Sequence, residues 1–260
     1  MAKSLYQDKE FAKYWNERAG NEGEVYKHFV LDPLMFDIVG NLEGRAILEL
    51  GCGNGYLAPK FIKQNPKKLI LLDISKHNLE FAKEKADNPI IDFIEQDATN
   101  PWNVDSNSVD VVYSNMMLNE IENIDTPIKE TFRVLNKHGI FIFSVTHSSW
   151  DLYIFAQEEA GVKSSKIKGL GNYFRRGYAK YIMGADSKTN PALSDKYNKE
   201  FEVEHYQRPL SDYFNKLTES SFIVKKIIEP ELTKELLKEN PRFSSYLNHP
   251  IGLIFFCIKP

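Results

Sequence analysis

The sequence predicts an α/β fold, a parallel sheet covered by helices on both faces. Two observations carry this. Short apolar runs alternate with stretches of helical spacing as far as Val145, and the strands of a parallel sheet, buried on both faces, read as such runs. Hydrophobic residues make up 42% and charged residues 27% of 260, a balance that supports a sizeable core in one large domain or two small ones.

The elements follow in order. Residues 1–40 read as a helical cap, in which Phe11, Tyr14 and Trp15 belong to an amphipathic segment. Five apolar runs come next: Ala46 to Leu50, Lys67 to Ile74, Ile90 to Ile94, Val109 to Tyr113 and Ile140 to Val145. Helices fill two of the gaps. Asn78 to Ala86 places Leu79, Ala82 and Ala86 at helical spacing, and a second helix opens at Thr126-Pro127 and stops at His138-Gly139. From about residue 148 to 200 the chain is polar, aromatic and dotted with glycine, with no clear strand, and reads as an inserted lid. Regularity returns with a helix over Ser211 to Glu219, a strand over Phe222 to Ile228, a short helix over Thr233 to Asn240 and an apolar strand over Ile251 to Ile258. The expected organisation is a cap (1–40), one α/β domain (41–147 and 201–260) and a lid (148–200).

Formal net charge is -3, so global charge does not point to nucleic acid as a partner. Cys52 and Cys257 are the two cysteines and suggest no disulfide framework. The N-terminal stretch is polar and aromatic, and no run approaches the roughly 20 apolar residues of a membrane span. A cytoplasmic protein with no membrane span and no metal is expected.

The most informative stretch is Ile47-Leu48-Glu49-Leu50-Gly51-Cys52-Gly53-Asn54-Gly55. A buried strand runs into a loop with glycine at every second position, which lets the backbone turn sharply and a ligand approach closely. The loop lies at the carboxyl end of its strand, where open α/β sheets bind ligands. A simple tight turn is the plainer reading. The spacing is G-x-G-x-G, not the G-x-G-x-x-G of dinucleotide folds. Asp73 ends the next run and can accept hydrogen bonds from two ribose hydroxyls. Its competing role is to cap the following helix, which Ser75 can fill instead. Asp97 closes the third run, where it can meet an adenine amino group with Ala98 giving backbone contact, or simply start a turn.

In series, ILELGCGNG, LLDIS, EQDA, VDVVYSNMMLNEI and FRVLNKHGIFIFSV resemble the ordered motifs of class I S-adenosylmethionine-dependent methyltransferases. The resemblance covers about residues 41–145. It implies a Rossmann-like seven-stranded sheet, mostly parallel with the last strand antiparallel, which fits the seven apolar runs. It also implies that Glu49, Gly51, Cys52, Gly53, Asn54 and Gly55 wrap the methionine part of the cofactor. Asp73, with Ile74 beside it, would hold the ribose, Asp97 and Ala98 the adenine, and Asn115 and Met116 would line the pocket. Glu49 stands where aspartate is commoner. HYQRPLSDYFNKLTESSFIVKKIIEP resembles a block of the UbiE-like small-molecule methyltransferases, through Arg208, Pro209, Leu210, Ser211, Tyr213, Leu217 and Phe222. Gln207 replaces a histidine often found there, and His205 lies two residues earlier.

Methyl transfer from a sulfonium needs mainly alignment, and a base only where the acceptor must lose a proton. His147, directly after the fifth run, and His205 are the candidate bases, with a backbone-bonded loop histidine as the plainer reading of His147. Tyr6, Tyr14 and Trp15 are candidates to fold over the pocket, or simply pack the first helix. Cys52 reads as a packing residue, not a nucleophile. Between Val162 and Lys188, seven lysines and arginines stand against the single Asp186, interleaved with Tyr173, Phe174, Tyr178 and Tyr181. This suggests a lid over a small acceptor carrying negative charge, with Arg175, Arg176 and Arg208 as anion partners and Tyr14 beside the acceptor. A solvated basic loop is the alternative. The competing functions are an RNA methyltransferase and a non-catalytic S-adenosylmethionine-binding module; Ser114-Asn115-Met116-Met117 lacks the Asn/Asp-Pro-Pro-aromatic motif used for amino groups of bases.

Overall fold

The computed structural model describes residues 4–150, 173–184 and 200–260. All seven apolar runs form one sheet. Its strands are β1 (Ala46–Leu50), β2 (Lys68–Asp73), β3 (Ile91–Glu95), β4 (Val109–Asn115), β5 (Leu135–Thr146), β8 (Ile223–Ile228) and β9 (Gly252–Ile258), in the order β3-β2-β1-β4-β5-β9-β8. The first five strands are parallel, and β9 runs antiparallel to both β5 and β8. The sheet is thus Rossmann-like, with the last strand antiparallel as expected.

Side-chain alternation separates two cores. Ile47, Leu69, Leu71 and Tyr113 pack on one face with Met35 of α2 (Asp32–Val39), Phe61 of α3 (Ala58–Ile62) and Leu79 of α4 (Lys76–Lys85). Leu48, Leu50, Leu72 and Phe143 pack on the other with Ile128 of α5 (Asp125–Val134) and Leu217 of α6 (Leu210–Glu219). Each face therefore takes alternate residues of the same strand, as the pleat requires. A short α7 (Lys234–Glu239) is capped by Thr233, whose hydroxyl accepts the Leu236 N–H at 3.1 Å.

Two expectations need correction. The helix expected to reach His138-Gly139 ends at Val134, because Leu135 already pairs with Val109 as part of β5. His138, at φ 62°, is a bend within that strand. The region read as strandless contains β6 (Gly177–Gly184), which pairs antiparallel with β7 (Glu200–Gln207) in a separate two-stranded sheet. The alternation in EFEVEHYQ was readable: Phe201, Val203 and His205 are buried while Glu202 and Glu204 are exposed. Phe201 and Val203 form a third cluster with Phe11 and Tyr14 of α1 (Lys9–Ala19), so this ribbon fastens the N-terminal helix beside the sheet. Lys163, Lys166, Lys168 and Lys188 of the basic segment lie outside the described residues. Among the described residues, no helix is long and apolar enough to cross a membrane.

Candidate active site

A cavity of about 260 Å³ lies at the carboxyl ends of the parallel strands. Its walls follow the strand order. Asp97 and Ala98 come from beyond β3, Asp73 and Ile74 from the end of β2, Glu49 and Gly51 from β1 and its loop, and Asn115 and Met116 from the end of β4. From β3 to β4 is three strand spacings, roughly 14 Å, the reach of an elongated ligand.

The glycine loop is shaped by its neighbours. Gly51, Gly53 and Gly55 all have positive φ, at 72°, 54° and 71°. A Cβ on Gly51 would run into Met117, and one on Gly55 would lie 2.5 Å from the Cβ of Ala82 in α4. Gly51 and Cys52 donate their N–H groups to the Leu72 carbonyl, and Gly53 N–H donates to Asp73 Oδ2 at 2.8 Å. Asn54 donates to Asn16 Oδ1 and the Gly20 carbonyl, both at 3.0 Å, tying the loop to α1 and its C-cap. Gly55, expected at the cofactor, packs on α4 and is not part of the cavity wall.

Asp73 is buried and also accepts from Ser75 N–H at 2.9 Å, while Ser75 caps α4 in its place. Burial pushes the Asp73 carboxyl up, against the hydrogen bonds from Ser75, Gly53 and Asn78. Asp97 starts a turn, its Oδ1 accepting from the Thr99 N–H and hydroxyl, both at 2.8 Å, and it also faces the cavity. Glu49 is buried, and its Oε2 has no hydrogen-bond partner. Burial, then Asp32 and Asp73, push its carboxyl well above the usual range. A buried unpaired acceptor is costly unless a ligand supplies a donor. The Asn115 amide is occupied in structure: it donates to Asp32 Oδ1 at 2.7 Å and accepts from the Ser144 hydroxyl at 2.6 Å. Cys52 lies in the wall, and burial raises its thiol well above the ordinary value, so it is no nucleophile.

Several expected acceptor-side residues stand elsewhere. His147 is not in the cavity wall. Its Nε2 meets Glu229 Oε1 at 2.9 Å and its Nδ1 meets Ser149 Oγ at 2.7 Å. Arg208 is buried, and its guanidinium donates to the carbonyls of Leu118, Ile121 and Glu122 and to the Tyr213 hydroxyl, so it clamps the loop after β4 rather than meeting an anion. Arg176 makes a two-pronged pair with Asp212, both contacts 2.7 Å. Neither Arg175 nor Tyr14 lines the cavity; Tyr14 is fully buried on α1, packed with Phe201 and Val203 of β7. His205 is buried on β7, also behind the wall.

Other residues take the acceptor side. Tyr6 and Trp15 do reach the cavity, and Lys27, Glu24, Asn119 and Glu120 join them. Glu24 is held below the usual carboxylate range because Arg18, 2.5 Å away, and Lys27 outweigh burial. Glu120 sits at the end of the VDVVYSNMMLNEI stretch, but its partner Tyr6 and the Asn115 carbonyl met by Lys27 lie on distant segments, so the sequence did not single out either residue. Among the described residues, no group of three His, Cys, Asp or Glu side chains is placed to hold a metal.

A family model described as a methyltransferase domain matches residues 48–143. The chain is 34% identical over 126 residues to malonyl-(acyl-carrier protein) O-methyltransferase 1 of Ilyobacter polytropus, covering 48% of this chain and 46% of that protein. It is 27% identical over 115 residues to a ubiquinone biosynthesis O-methyltransferase of Pelagibacter ubique, covering 44% and 48%. The chain thus spans about half the length of these curated relatives. A solved Listeria monocytogenes protein, assigned to the S-adenosylmethionine-dependent methyltransferases, superposes with TM-score 0.71 at 21% identity, over 94% of this chain and 98% of that one. At that identity the likeness is one of fold. Motif order, strand order and family match agree: residues 48–143 match a methyltransferase domain, and the chain has the fold of the S-adenosylmethionine-dependent methyltransferases.

Proposed function

We propose that this chain transfers the methyl group of S-adenosylmethionine to a small-molecule acceptor, releasing S-adenosylhomocysteine. The observation that carries the reading is the cavity itself, whose wall changes chemistry strand by strand. Asp97 and Ala98 would meet the adenine, and the second lone pairs on Asp73 the ribose hydroxyls. The bare backbone of Gly51 and Gly53 would cradle the methionine tail, and the unpartnered Glu49 Oε2 would accept from its ammonium group. When bound, the cofactor supplies an electrophilic methyl on a positively charged sulfur. The protein's share is then alignment and exclusion of water.

A small acceptor is supported by the cavity's lining. Tyr6 and Trp15 from the N-terminal segment line the cavity, so an acceptor there would meet aromatic side chains. The names of the two O-methyltransferase relatives point the same way. Arg176 and Arg208 are engaged within the protein, and the cavity wall holds five carboxylates (Glu24, Glu49, Asp73, Asp97, Glu120) against Lys27. An anionic acceptor is therefore not part of the proposal. Calorimetric titration with S-adenosylmethionine and S-adenosylhomocysteine tests it, followed by incubation of the protein and labelled cofactor with metabolite extracts. Binding of both ligands and label transfer to a low-mass product are expected. Failure of both ligands to bind would overturn the reading.

A further inference from the structure

We propose that Glu120 forms the acceptor end of the cavity and takes the proton from an amine or hydroxyl acceptor, with Tyr6 positioning it. This rests on the methyltransferase reading above and names the acceptor class for that site.

The geometry comes from three segments far apart in sequence. Glu120 lies on the loop after β4, in the cavity wall beside Met116 and Met117. Its Oε2 accepts the Tyr6 hydroxyl at 2.6 Å, and its Oε1 accepts the Asn119 amide at 2.6 Å. Each carboxylate oxygen keeps lone-pair capacity for a further donor. The loop itself is fixed from behind. Arg208 holds the carbonyls of Leu118, Ile121 and Glu122, and Tyr206 N–H of β7 donates to the Asn119 carbonyl at 2.6 Å. The strand order puts the nucleoside-facing acids on β3 and β2, so a donor laid along that edge directs its reactive end towards β4 and Glu120.

The electrostatics fit a proton acceptor. Burial pushes the Glu120 carboxyl up to about 7, opposed by the charge of His205, the Tyr6 hydrogen bond and Lys27, and reinforced by Glu24. A base is most effective when its pKa lies near the working pH. In the transfer, the acceptor's lone pair bonds to the methyl carbon while the carbon–sulfur pair returns to sulfur. The acceptor's N–H or O–H proton passes to a Glu120 oxygen and from there to solvent. A carboxylate acceptor, already deprotonated, has no proton to give and would meet like charge.

The test uses two ligands of the whole chain: S-adenosylhomocysteine, and sinefungin, an analogue with a primary amine where the cofactor has its sulfonium methyl. The ratio of their affinities isolates the amine, because the adenosine and amino-acid parts are common to both. At pH 8, Glu120→Gln is expected to lower the preference for sinefungin about ten- to hundredfold, the loss of a charge-assisted hydrogen bond. In the native protein the preference should fall between pH 8 and pH 6 as Glu120 takes up a proton. Tyr6→Phe should move that fall to higher pH, which a merely structural role for Tyr6 would not do. An equal ratio in the native protein and Glu120→Gln overturns the proposal. Should the Gln variant not fold, a native ratio that stays flat from pH 6 to 8 overturns it as well. If neither ligand binds to native protein, the methyltransferase reading fails and the proposal with it.

Discussion

Asp73 has a structural role in the glycine loop and a proposed role at the ribose, and replacing it with alanine separates their energies. Its oxygens accept from Gly53 N–H at 2.8 Å and Ser75 N–H at 2.9 Å, which folds the glycine loop onto the start of α4. The same oxygens are proposed to take the ribose hydroxyls. Losing charge-assisted bonds to the ribose costs about 1.5–3 kcal/mol, a drop of about ten- to hundredfold in affinity. The two N–H groups left without acceptors cost about 1–3 kcal/mol each, about 2–6 kcal/mol of stability together. At 2–4 °C per kcal/mol for a chain of this size, the unliganded melting temperature falls by roughly 4–24 °C. Asp73→Asn keeps the shape and one carbonyl acceptor, so it should lose less on both counts. Calorimetry with S-adenosylhomocysteine, run well below both melting temperatures, reads the first quantity, and thermal denaturation reads the second. A folded Asp73→Ala protein that binds S-adenosylhomocysteine within twofold of the native affinity would refute the ribose assignment.

Three further outcomes are expected. Gly55→Ala places a side chain at φ 71° and against the Ala82 Cβ, so it should cost about 2–4 kcal/mol in strain and overpacking; an unchanged denaturation midpoint would contradict this. Arg208→Ala leaves carbonyls of the 118–122 loop without their donors and should lower stability by about 1–3 kcal/mol. Arg208→Lys should not restore it, because one ammonium cannot span three carbonyls; full recovery in the lysine variant would show that charge alone matters. Glu120, at about 7 in the folded chain, lies above its unfolded value of about 4.3. Between those values the folded state holds a proton that the unfolded state has lost, so stability from this group falls as pH rises. The native protein should therefore lose melting temperature relative to Glu120→Gln from pH 5 to pH 8, and a native melting temperature that keeps pace with or gains on the variant over that range would count against the buried-carboxyl account.

The sheet and the cavity-lining residues at its strand ends were legible in the chain because their signals are local. Parallel strands buried on both faces must be continuous apolar runs, and β1 to β5, β8 and β9 are those runs. Glu49, Asp73 and Asp97 follow directly from strand ends, so locating the strand locates the residue. The alternation in β7 was equally local, yet the polar insertion before it hid the register. Helix α5 ended early because the pairing of Leu135 with Val109 competes with helical spacing, and periodicity alone cannot decide that contest. The far side of the cavity had a weaker signal: Tyr6 and Trp15 stood out as aromatic residues of the N-terminal segment, but not the groups they meet. Tyr6 and Glu120 are separated by 114 positions, and the N-terminal segment is brought to the cavity by the packing of Phe11 and Tyr14 against Phe201 and Val203 and by the Asn54–Asn16 hydrogen bond. Arg208 looked like an anion partner in the sequence, since charge announces itself there while the carbonyls that occupy it do not. Periodicity reports which side of an element is buried; which distant group it meets is decided by tertiary packing, and that packing made His147 a partner of Glu229 and put Glu120 at the cavity.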